Sequence, residues 1–529
     1  MREIRNLGDL VDRNRDQDKL ALLDLGGEGD PREYTFAQLD RMANGAARGL
    51  EARGLKRGDR IAILSANRTE FLAAYYGAMR AGVVAVPVNF KFPRDTIHYI
   101  IRDSGASLVF CDLERESNCP DELPSIVFGG GGARDFDAFL DEGEYESVVP
   151  VQDEAAMYLY TSGSTGKPKG VVLSHQSHIW VVQARMAGQD LSRNRYLIAA
   201  PLYHMNALAL SKLACAAHAT VVMLPQFSTK AYAEAIAKYR CTSLTAVPPM
   251  IAMMLRDTNA MARADFSSVE SLRMGSAPVS PSLMESIRQA MPNAIVHNAY
   301  GTTEGGPLVF GPHPQGLKQP EMSVGYPHPL VQVRLVNGDD FAADQGVLQL
   351  KCPSVMIGYL GRPDIRLPFT VDGFYITGDV FRRDEHGFHY FIGRVDEMFV
   401  SGGENIYPGE VEKMLESHPA IVQACVVPID DDIKGQKPVA FCVLSTGSPL
   451  SEAEVKRYAL AKAPPYQHPR FVWFLDKLPL ASTNKVDRNA LKALAHTYVN
   501  LEQNRATSPA GSNGHQHRPA AESVPMRDA

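Results

Sequence analysis

The chain is poor in cysteine and tryptophan and has no long hydrophobic run. Its 529 residues include seven cysteines and two tryptophans, and no two cysteines form a C-x-x-C pair. We therefore expect neither a disulfide framework nor a zinc site, as in a reducing compartment. No apolar stretch approaches the roughly eighteen residues of a membrane helix, and the first residues lack the apolar core of a signal peptide. We expect a cytoplasmic protein without a transmembrane segment.

The charge pattern excludes two further classes of partner. The net charge is −6, and no long basic run is present, so neither a nucleic acid nor an anionic membrane is indicated. A hydrophobic content of 45% and a charged content of 22% are typical of soluble globular enzymes. The length exceeds the size at which a single core stops growing, which predicts at least two domains.

The first three quarters of the chain alternate helical and strand patterns. Thr35 and Gln38 have the spacing of a capping box, followed by apolar residues at helical spacing. An apolar strand pattern at 60–64, a helical pattern at 69–80 and another strand pattern at 83–86 follow. Helices that alternate with short, fully apolar strands predict an α/β fold, a large N-terminal domain of layered, mostly parallel sheets with helices.

The pattern changes near residue 395. Pro408 stands at a predicted helix start, apolar strands are predicted at 421–427 and 439–444, and Ser451 with Glu454 forms a second capping box. This pattern predicts a small α+β domain. From about residue 503 the chain is rich in Ser, Gly, Pro and Asn, which is typical of a disordered tail. We expect an N-terminal domain at 1–395, a small mobile C-terminal domain at 396–502 and the tail at 503–529.

One glycine- and hydroxyl-rich segment indicates a phosphate site. Residues 160–170 read Tyr-Thr-Ser-Gly-Ser-Thr-Gly-Lys-Pro-Lys-Gly. The glycines let backbone N–H groups face an anion, the hydroxyls add donors and the lysines add charge. Apolar, β-prone residues precede and follow the segment, which predicts a strand, a loop and a second strand. Binding of a polyphosphate is the function that this combination favours.

Two alternatives apply to this loop. A Walker A motif requires G-x-x-x-x-G-K-[ST] at the start of a helix. Here Thr161 stands where the first glycine belongs, and Pro168 follows Lys167, so the motif is absent. The other alternative is an ordinary surface loop, which the segment by itself leaves open.

Four further segments matter in combination with the loop. They are residues 298–305 (Asn-Ala-Tyr-Gly-Thr-Thr-Glu-Gly), 375–379 (Tyr-Ile-Thr-Gly-Asp, an acid placed after a predicted tight turn), 393–408 and 478–487. Each has a structural explanation when taken singly: Tyr300 as a core residue, Asp379 as a turn residue, Arg394 as a surface ion pair and Lys485 as a solvated lysine. In this order and spacing the segments resemble the adenylate-forming superfamily, over about residues 10 to 500. That superfamily includes acyl- and aryl-CoA synthetases, peptide-synthetase adenylation domains and firefly-type luciferases.

The resemblance implies a reaction and a set of binding residues. A carboxylate attacks the α-phosphorus of ATP to give acyl-AMP and pyrophosphate, and a thiol then displaces AMP. Catalysis of the first step is mainly positioning and charge neutralisation. By resemblance, Glu304 would bind Mg²⁺, and Thr303 would lie near the α-phosphate. Lys485 would contact both the carboxylate of the acid and the α-phosphate. The remaining ATP-binding residues would be Thr161, Ser162, Gly163, Ser164, Thr165, Lys169, Ser276, Ala277, Tyr300 (on adenine), Gly301, Thr302, Asp379 (on ribose) and Arg394.

The second step implies a movement. By resemblance, the C-terminal domain rotates about a hinge at Asp396 after adenylation. The rotation would bring Gly402, Gly403 and Glu404 to the channel for coenzyme A, the co-substrate. His204 matches an aromatic position that guards the acid pocket, although it could instead be a histidine packed in the wall.

The sequence of residues 401–408 resembles the corresponding segment of CoA synthetases, which favours a carboxylic acid–CoA ligase. Acetyl-CoA synthetases have tryptophan where this chain has Gly301, so we expect an acid larger than propionate, either a medium-chain fatty acid or an aromatic acid. Loading of a separate carrier protein stays open, and a non-catalytic nucleotide-binding relic is disfavoured by the intact motif set. Asn484 departs from the glycine that usually precedes the lysine. The sequence also leaves a homodimer open.

Overall fold

The computed structural model describes residues 3–26, 30–161, 167–275, 279, 281–445, 447–481 and 485–507. Within these ranges the strands are β1 (Leu20–Asp24), β2 (Arg32–Thr35), β3 (Arg60–Leu64), β4 (Val84–Pro87), β5 (Leu108–Asp112), β6 (Ser125–Phe128), β7 (Ala155–Thr161), β8 (Lys169–Ser174), β9 (Arg195–Ile198), β10 (Thr220–Met223), β11 (Ser243–Ala246), β12 (Ser271–Gly275), β13 (Ile295–Ala299), β14 (Phe310–Gly311), β15 (Tyr326–Pro327), β16 (Gln332–Val336), β17 (Gln345–Lys351), β18 (Gly358–Tyr359), β19 (Tyr375–Arg383), β20 (His389–Arg394), β21 (Phe399–Ser401), β22 (Glu404–Ile406), β23 (Ile421–Asp431), β24 (Gly435–Leu444) and β25 (Val472–Phe474).

The α-helices of the same ranges are α1 (Phe36–Ala52), α2 (Thr69–Arg80), α3 (Arg94–Asp103), α4 (Phe136–Phe139), α5 (His175–Met186), α6 (Met205–Ala216), α7 (Thr229–Tyr239), α8 (Pro248–Arg256), α9 (Thr258–Met261), α10 (Pro281–Ala290), α11 (Pro408–Glu416), α12 (Glu452–Lys462) and α13 (Arg488–Thr507). None of the described helices combines the length and the apolar composition needed to cross a membrane.

Two seven-stranded sheets form the body of the molecule. One has the order β13-β12-β11-β9-β10-β1-β2 and the other the order β18-β8-β7-β4-β3-β5-β6. Most neighbouring strands in both are parallel, and β2, β8 and β18 pair antiparallel. The predicted α/β class with mostly parallel sheets is confirmed.

The helices lie in layers around the two sheets. One buried core joins apolar residues of both sheets with residues of α1, α2, α5 and α6, so these helices fill the space between the sheets. A second core places α7, α8 and α10 on the outer face of the first sheet, and a third places α3 on the outer face of the second. Strands buried on both faces explain why the sequence shows continuous apolar runs here.

The start of the chain is part of this core. The N–H of Leu7 donates to Nδ1 of His175 (3.1 Å), and Nε of Arg80 donates to the carbonyl of Gly8 (2.8 Å). Arg80 is 1% exposed, and its charge is balanced by Asp40, whose Oδ1 lies 2.7 Å from Nη2. A buried charge of this kind is stable only while its hydrogen-bond acceptors are in place.

The predicted local signals form as expected. Thr35 and Gln38 make a reciprocal capping box at α1, and Ser451 and Glu454 make another at α12. Pro408 opens α11 at its first turn, where the missing N–H of proline has no helical partner to lose.

Two features differ from the sequence expectation. A third sheet, β16-β17-β19-β20, is entirely antiparallel; mostly parallel sheets were predicted for the body, and this separate sheet was not identified from the sequence. Helix α13 continues to Thr507, past the expected start of the tail at residue 503, because Leu501, Glu502 and Gln503 extend a good helix-forming sequence. Residues 508–529 lie outside the described residues.

The C-terminal unit is a separate layered structure. Strands β22, β21, β24 and β23 form an antiparallel sheet that β25 joins in parallel. Helices α11 and α12 cover one face of this sheet and α13 covers the other, each over its own apolar cluster. This agrees with the α+β composition that the sequence predicted from about residue 396.

Candidate functional site

A cleft of about 1930 Å³ lies between the body and the C-terminal unit. It is lined by residues of both, and it brings together segments that lie more than 300 residues apart in the sequence, from Thr161 to Lys485. The predicted site residues on its walls are Thr161, Lys169, His204, Tyr300, Gly301, Thr302, Thr303, Glu304, Asp379, Arg394, Asp396 and Lys485.

The phosphate loop is framed by the antiparallel pair β7 and β8, in which Thr161 is the partner of Lys169. This is the predicted strand–loop–strand arrangement. The hydroxyl of Thr161 donates to Oε1 of Glu304 (3.2 Å), and Nζ of Lys169 lies 5.3 Å from the centre of the Tyr359 ring. A carboxylate, a hydroxyl and an ammonium group thus meet at one end of the cleft.

The oxygen ligands at this end suit Mg²⁺. Glu304 also accepts from the hydroxyl of Tyr359 (3.4 Å), so hard oxygen atoms surround its carboxylate. Among the described residues there is no group of three or more His, Cys, Asp or Glu side chains that could hold a metal by themselves. Mg²⁺ commonly binds one or two carboxylates together with substrate phosphates and water, and Glu304 fits that mode.

Residues 300–306 form a tight loop directly after β13. The N–H of Gly305 donates to the hydroxyl of Thr302 (2.8 Å), and the N–H of Met356 donates to the carbonyl of Glu304 (2.8 Å). A Cβ atom at Gly301 would lie 2.8 Å from the carbonyl oxygen of Gly306. The close approach of the backbone therefore requires glycine at position 301. For this reason, Gly301 alone is not evidence for a large acid pocket.

Asp379 lies inside strand β19, whereas the sequence predicted that it follows a tight turn. The register between β17 and β19 shifts beside it, and Gly378 has a φ of +74°. Such a bulge re-aims the next side chain while the strand continues. The sequence Thr-Gly-Asp resembles a turn because glycine serves both structures, and only the pairing with β17 distinguishes them.

Asp379 is 3% exposed and has two strong partners. The hydroxyl of Tyr300 donates to its Oδ2, and Nη1 of Arg394 donates to its Oδ1 (2.8 Å). Burial raises the pKa of Asp379, and these two hydrogen bonds oppose that rise. Burial also acts against the charge of Arg394, but its bonds to Asp396 and Asp379 outweigh it and raise the arginine pKa.

Arg394 joins the body to the segment that follows it. Its Nε donates to Oδ1 of Asp396 (2.8 Å) while its Nη1 holds Asp379. Asp396 itself is exposed. The predicted ribose acid and the predicted hinge residue therefore share one guanidinium group.

Lys485 reaches the cleft from the C-terminal unit. Its side chain is open to the cleft, yet the surrounding protein lowers its pKa by displacing water, and the charge of Arg394 lowers it further. Asp379, Glu397 and Glu304 act in the opposite direction. The lysine thus stands where it can contact a group held between Glu304 and Asp379.

His204 caps the start of α6 and lines the cleft. Burial lowers its pKa to about 4, with a further contribution from Lys485. Its Nε2 atom is buried and has no hydrogen-bond partner among the described residues. The ring is therefore neutral at neutral pH, in the wall of the cleft beside the catalytic lysine candidate.

The expected CoA-binding residues are not at the cleft. Gly402 and Gly403 form the two-residue turn of the β21–β22 hairpin, with φ values of +61° and +89°, and Glu404 follows them. All three are exposed and do not line the cleft in this arrangement of the two units.

Several predicted residues lie outside the described ranges. They are Ser162, Gly163, Ser164 and Thr165 of the phosphate loop, Ser276 and Ala277 after β12, and Asn484 before the lysine.

Two arginines of the cleft were missed by the sequence analysis. Arg185 lies in the last turn of α5, and Arg273 lies in the middle of β12. The available signal was the sequence Ser-Leu-Arg-Met-Gly of β12, in which a charged residue stands in a central strand where both neighbours are apolar and buried. A charged residue is uncommon at such a position unless it is paired, which makes Arg273 a candidate for binding an anion.

Comparison with known proteins identifies the two units separately. The model of the AMP-binding enzyme family matches residues 11–360. The model of the AMP-binding enzyme C-terminal domain matches residues 410–485.

Individual relatives are similar over nearly their whole length. A feruloyl-CoA synthase of an Amycolatopsis species is 31% identical over 464 residues, which are 85% of this chain and 92% of that protein. A fatty acid–[acyl-carrier-protein] ligase, ScoC, of Streptomyces coeruleorubidus is 29% identical over 87% of this chain and 91% of its own. The crystal structure of ATP-bound MatB from Rhodopseudomonas palustris is similar with a TM-score of 0.83 and 26% identity, covering 94% of this chain and 99% of that one.

Proposed function

We propose that this chain, which belongs to the AMP-binding enzyme family, is an AMP-forming carboxylic acid–CoA ligase. It activates a carboxylic acid with ATP to an acyl adenylate and pyrophosphate, and then transfers the acyl group to coenzyme A. The observation that carries the proposal is the meeting of Glu304, Asp379, Arg394 and Lys485 around one cleft. The similarity to a feruloyl-CoA synthase supports the acceptor.

The first step brings two anions together, so its residues neutralise and position. Lys169 and Thr161 bind the β- and γ-phosphates, and Asp379 accepts from the ribose hydroxyls with Arg394 beside it. Lys485 contacts both the acid carboxylate and the α-phosphate, with Thr303 near the latter, and stabilises the charge that develops in the transition state. Tyr300, fixed through its hydroxyl to Asp379, presents its ring to the adenine.

Mg²⁺ would be held by Glu304 together with the phosphates. When bound it supplies charge neutralisation of the pyrophosphate that leaves. The protein's own part at this end is to orient the Glu304 carboxylate, which the hydroxyls of Thr161 and Tyr359 do.

The second step needs access for a thiol, and this motivates a hinge. We propose that the unit from residue 396 onward rotates about Asp396 after adenylation, which withdraws Lys485 and brings Gly402, Gly403 and Glu404 to the channel of coenzyme A. The exposed two-glycine turn at Gly402 and Gly403 allows close approach of backbone to a narrow ligand. His204, neutral in the wall of the cleft, covers the acid pocket between the two steps.

We propose an acid larger than propionate, either a medium-chain fatty acid or an aromatic acid, and the similarity to a feruloyl-CoA synthase supports this size. The experiment is pyrophosphate release by the purified chain with ATP and Mg²⁺ over fatty, benzoic and cinnamic acids, with and without coenzyme A. Turnover that depends on coenzyme A with one class of acid supports the proposal and identifies the class. No release with any acid, in a chain that still binds ATP, contradicts it.

A second candidate function is the loading of a separate carrier protein. The similarity to a fatty acid–[acyl-carrier-protein] ligase favours keeping it. Pyrophosphate release that shows no dependence on coenzyme A, together with transfer to an added carrier protein, would select this alternative.

A further inference from the structure

We infer that the acid substrate carries a second carboxylate, which Arg185 and Arg273 bind at the end of the pocket remote from Lys485. The inference rests on the proposed function, because it names the substrate class of the same cleft. The two arginines are the observation that carries it.

Both arginines lack a countercharge. Among the described residues neither makes an ion pair or a hydrogen bond, whereas Arg394, elsewhere on the cleft, binds two carboxylates. Both line the cleft, and the charge of Arg185 acts on Arg273. Burial lowers the pKa of Arg185, and burial together with the charge of Arg185 lowers the pKa of Arg273 to about 9, so the Arg273 guanidinium remains protonated at neutral pH.

The fold places Arg273 on a polar face of an otherwise apolar sheet. In register across three neighbouring strands stand Thr245 of β11, Arg273 of β12 and His297 of β13. Residues on the opposite face, such as Leu272 and Met274, belong to a buried apolar core. One side of the sheet is therefore packed, and the other offers a cation and a hydroxyl to the cleft.

The position relative to the reaction centre fits the far end of an acid. Strand β12 ends at Gly275, at the edge of the sheet where the 300–306 loop begins after the neighbouring strand β13. Arg273 lies two residues before that end, which is about 7 Å deeper along a strand. Arg185 approaches from α5, in the layer between the two sheets.

The chemistry of the ligand follows from the pair of cations. Two half-buried guanidinium groups without counterions among the described residues favour an anion that joins them, because removing an uncompensated charge from water is costly. Guanidinium groups bind carboxylates through paired N–H donors, which gives both affinity and orientation. A monocarboxylic acid would use its one carboxylate at Lys485 and leave the pair uncompensated, while a dicarboxylic acid satisfies both ends.

The test compares acids of one skeleton with and without the second charge. Suberate is compared with octanoate, and 4-carboxycinnamate with cinnamate, in CoA-dependent pyrophosphate release and in calorimetric binding to the full chain. We expect kcat/KM and affinity to be at least about tenfold higher for the dicarboxylate of at least one pair. Equal or better turnover and binding of the monocarboxylate in both pairs would overturn the inference and leave the proposed function standing.

Arg185→Met and Arg273→Met remove the charges at similar side-chain length, and Arg273→Lys keeps one charge without the paired donors. We expect each Met variant to lower kcat/KM for the dicarboxylate about a hundredfold, with the KM for ATP unchanged and no loss for the monocarboxylate. Arg193→Met, at an exposed arginine, is the control. If a Met variant fails to fold in a thermal melt, Arg273→Lys decides, since it should weaken the dicarboxylate selectively.

The two proposals can fail separately. Dicarboxylate binding that is lost in Arg273→Met, without turnover of any acid, would refute the ligase and support the anion site. Dicarboxylate binding that survives in both Met variants would refute the anion site whatever the turnover.

Discussion

The two ends of the cleft differ in whether their charged side chains have partners. At the nucleotide end the carboxylates already have partners: Asp379 is held by Tyr300 and Arg394, and Glu304 by two hydroxyls. At the end proposed to hold the acid, the cations Arg185 and Arg273 have no ion pair or hydrogen bond within the described part of the chain. The nucleotide end is thus organised before any ligand binds, which lowers the entropic cost of positioning ATP. The acid end is completed by the substrate, and selectivity should reside there.

We expect the largest effect on the reaction rate from substitution of Lys485, which in the proposed reaction contacts both the acid and the nucleotide. Lys485→Ala should slow acyl-adenylate formation at least about a hundredfold, because Lys485 lines the cleft close enough to Asp379 and Glu304 to feel the charge of both. Attack of coenzyme A on preformed acyl adenylate should be largely retained. Single-turnover measurements of the two half-reactions check this, and an equal loss in both would remove Lys485 from the role assigned to it.

A smaller effect is expected from breaking the organisation of the nucleotide end. Asp379→Asn keeps the shape but removes the charge that holds Arg394, and should raise the KM for ATP roughly tenfold or more. The KM for the acid should change little. Steady-state kinetics with each substrate varied separately provide the measurement. A change confined to the acid would mean that the two halves are not independent.

The hinge should affect only the second step. Asp396→Pro fixes φ and removes an N–H at the boundary of the two units, and should slow thioester formation about tenfold while adenylation stays near normal. Asp396→Ala is the matched control, since it also loses the ion pair to Arg394 but keeps a mobile backbone. Similar behaviour of both variants would assign the effect to the ion pair. Normal half-reactions in the proline variant would contradict rotation about this residue.

The smallest effect concerns stability and lies away from the cleft. Burial lowers the pKa of His175 to about 4, below the roughly 6.5 of an unfolded histidine. Between these values the unfolded chain binds more protons, so stability decreases as pH falls from about 6.5 to 4. The contribution of one such histidine is about 1 kcal/mol per pH unit.

Urea unfolding of wild type and His175→Gln at several pH values tests this sign. The glutamine variant should be less stable at pH 7 but lose less on acidification. An identical pH dependence in the two proteins would show that His175 does not titrate as stated.

Local signals were enough for much of the fold and for the nucleotide end. The capping boxes at Thr35 and Ser451 and the apolar strands report local preferences, which one stretch of sequence contains in full. The same holds for residues 161–169 and 300–304, whose hydroxyls and carboxylate are adjacent in the chain. The resemblance predicted them as parts of one site, and the described ones, Thr161, Lys169 and residues 300–304, lie on one cleft.

What the sequence could not reveal depends on distant pairing. The bulge at Gly378 exists only because β17 lies beside β19. The antiparallel sheet of β16, β17, β19 and β20 has no local signature that separates it from other short strands. Arg185 and Arg273 are 88 positions apart and meet only through the packing of α5 near the sheet that contains β12. That neither has a countercharge among the residues the structure describes is a property of the folded molecule alone.

The contacts of Leu7 and Gly8 also constrain the order in which parts of the chain can fold. The N–H of Leu7 donates to His175, and Gly8 accepts from Arg80, so this segment binds to partners that are synthesised later in the chain. Chains elongate at about 5 to 20 residues per second, which leaves this segment without its partners for about ten seconds or more. During that interval the segment is available to chaperones and proteases. Only after α2 and α5 have formed does the beginning of the chain close the layer that they build.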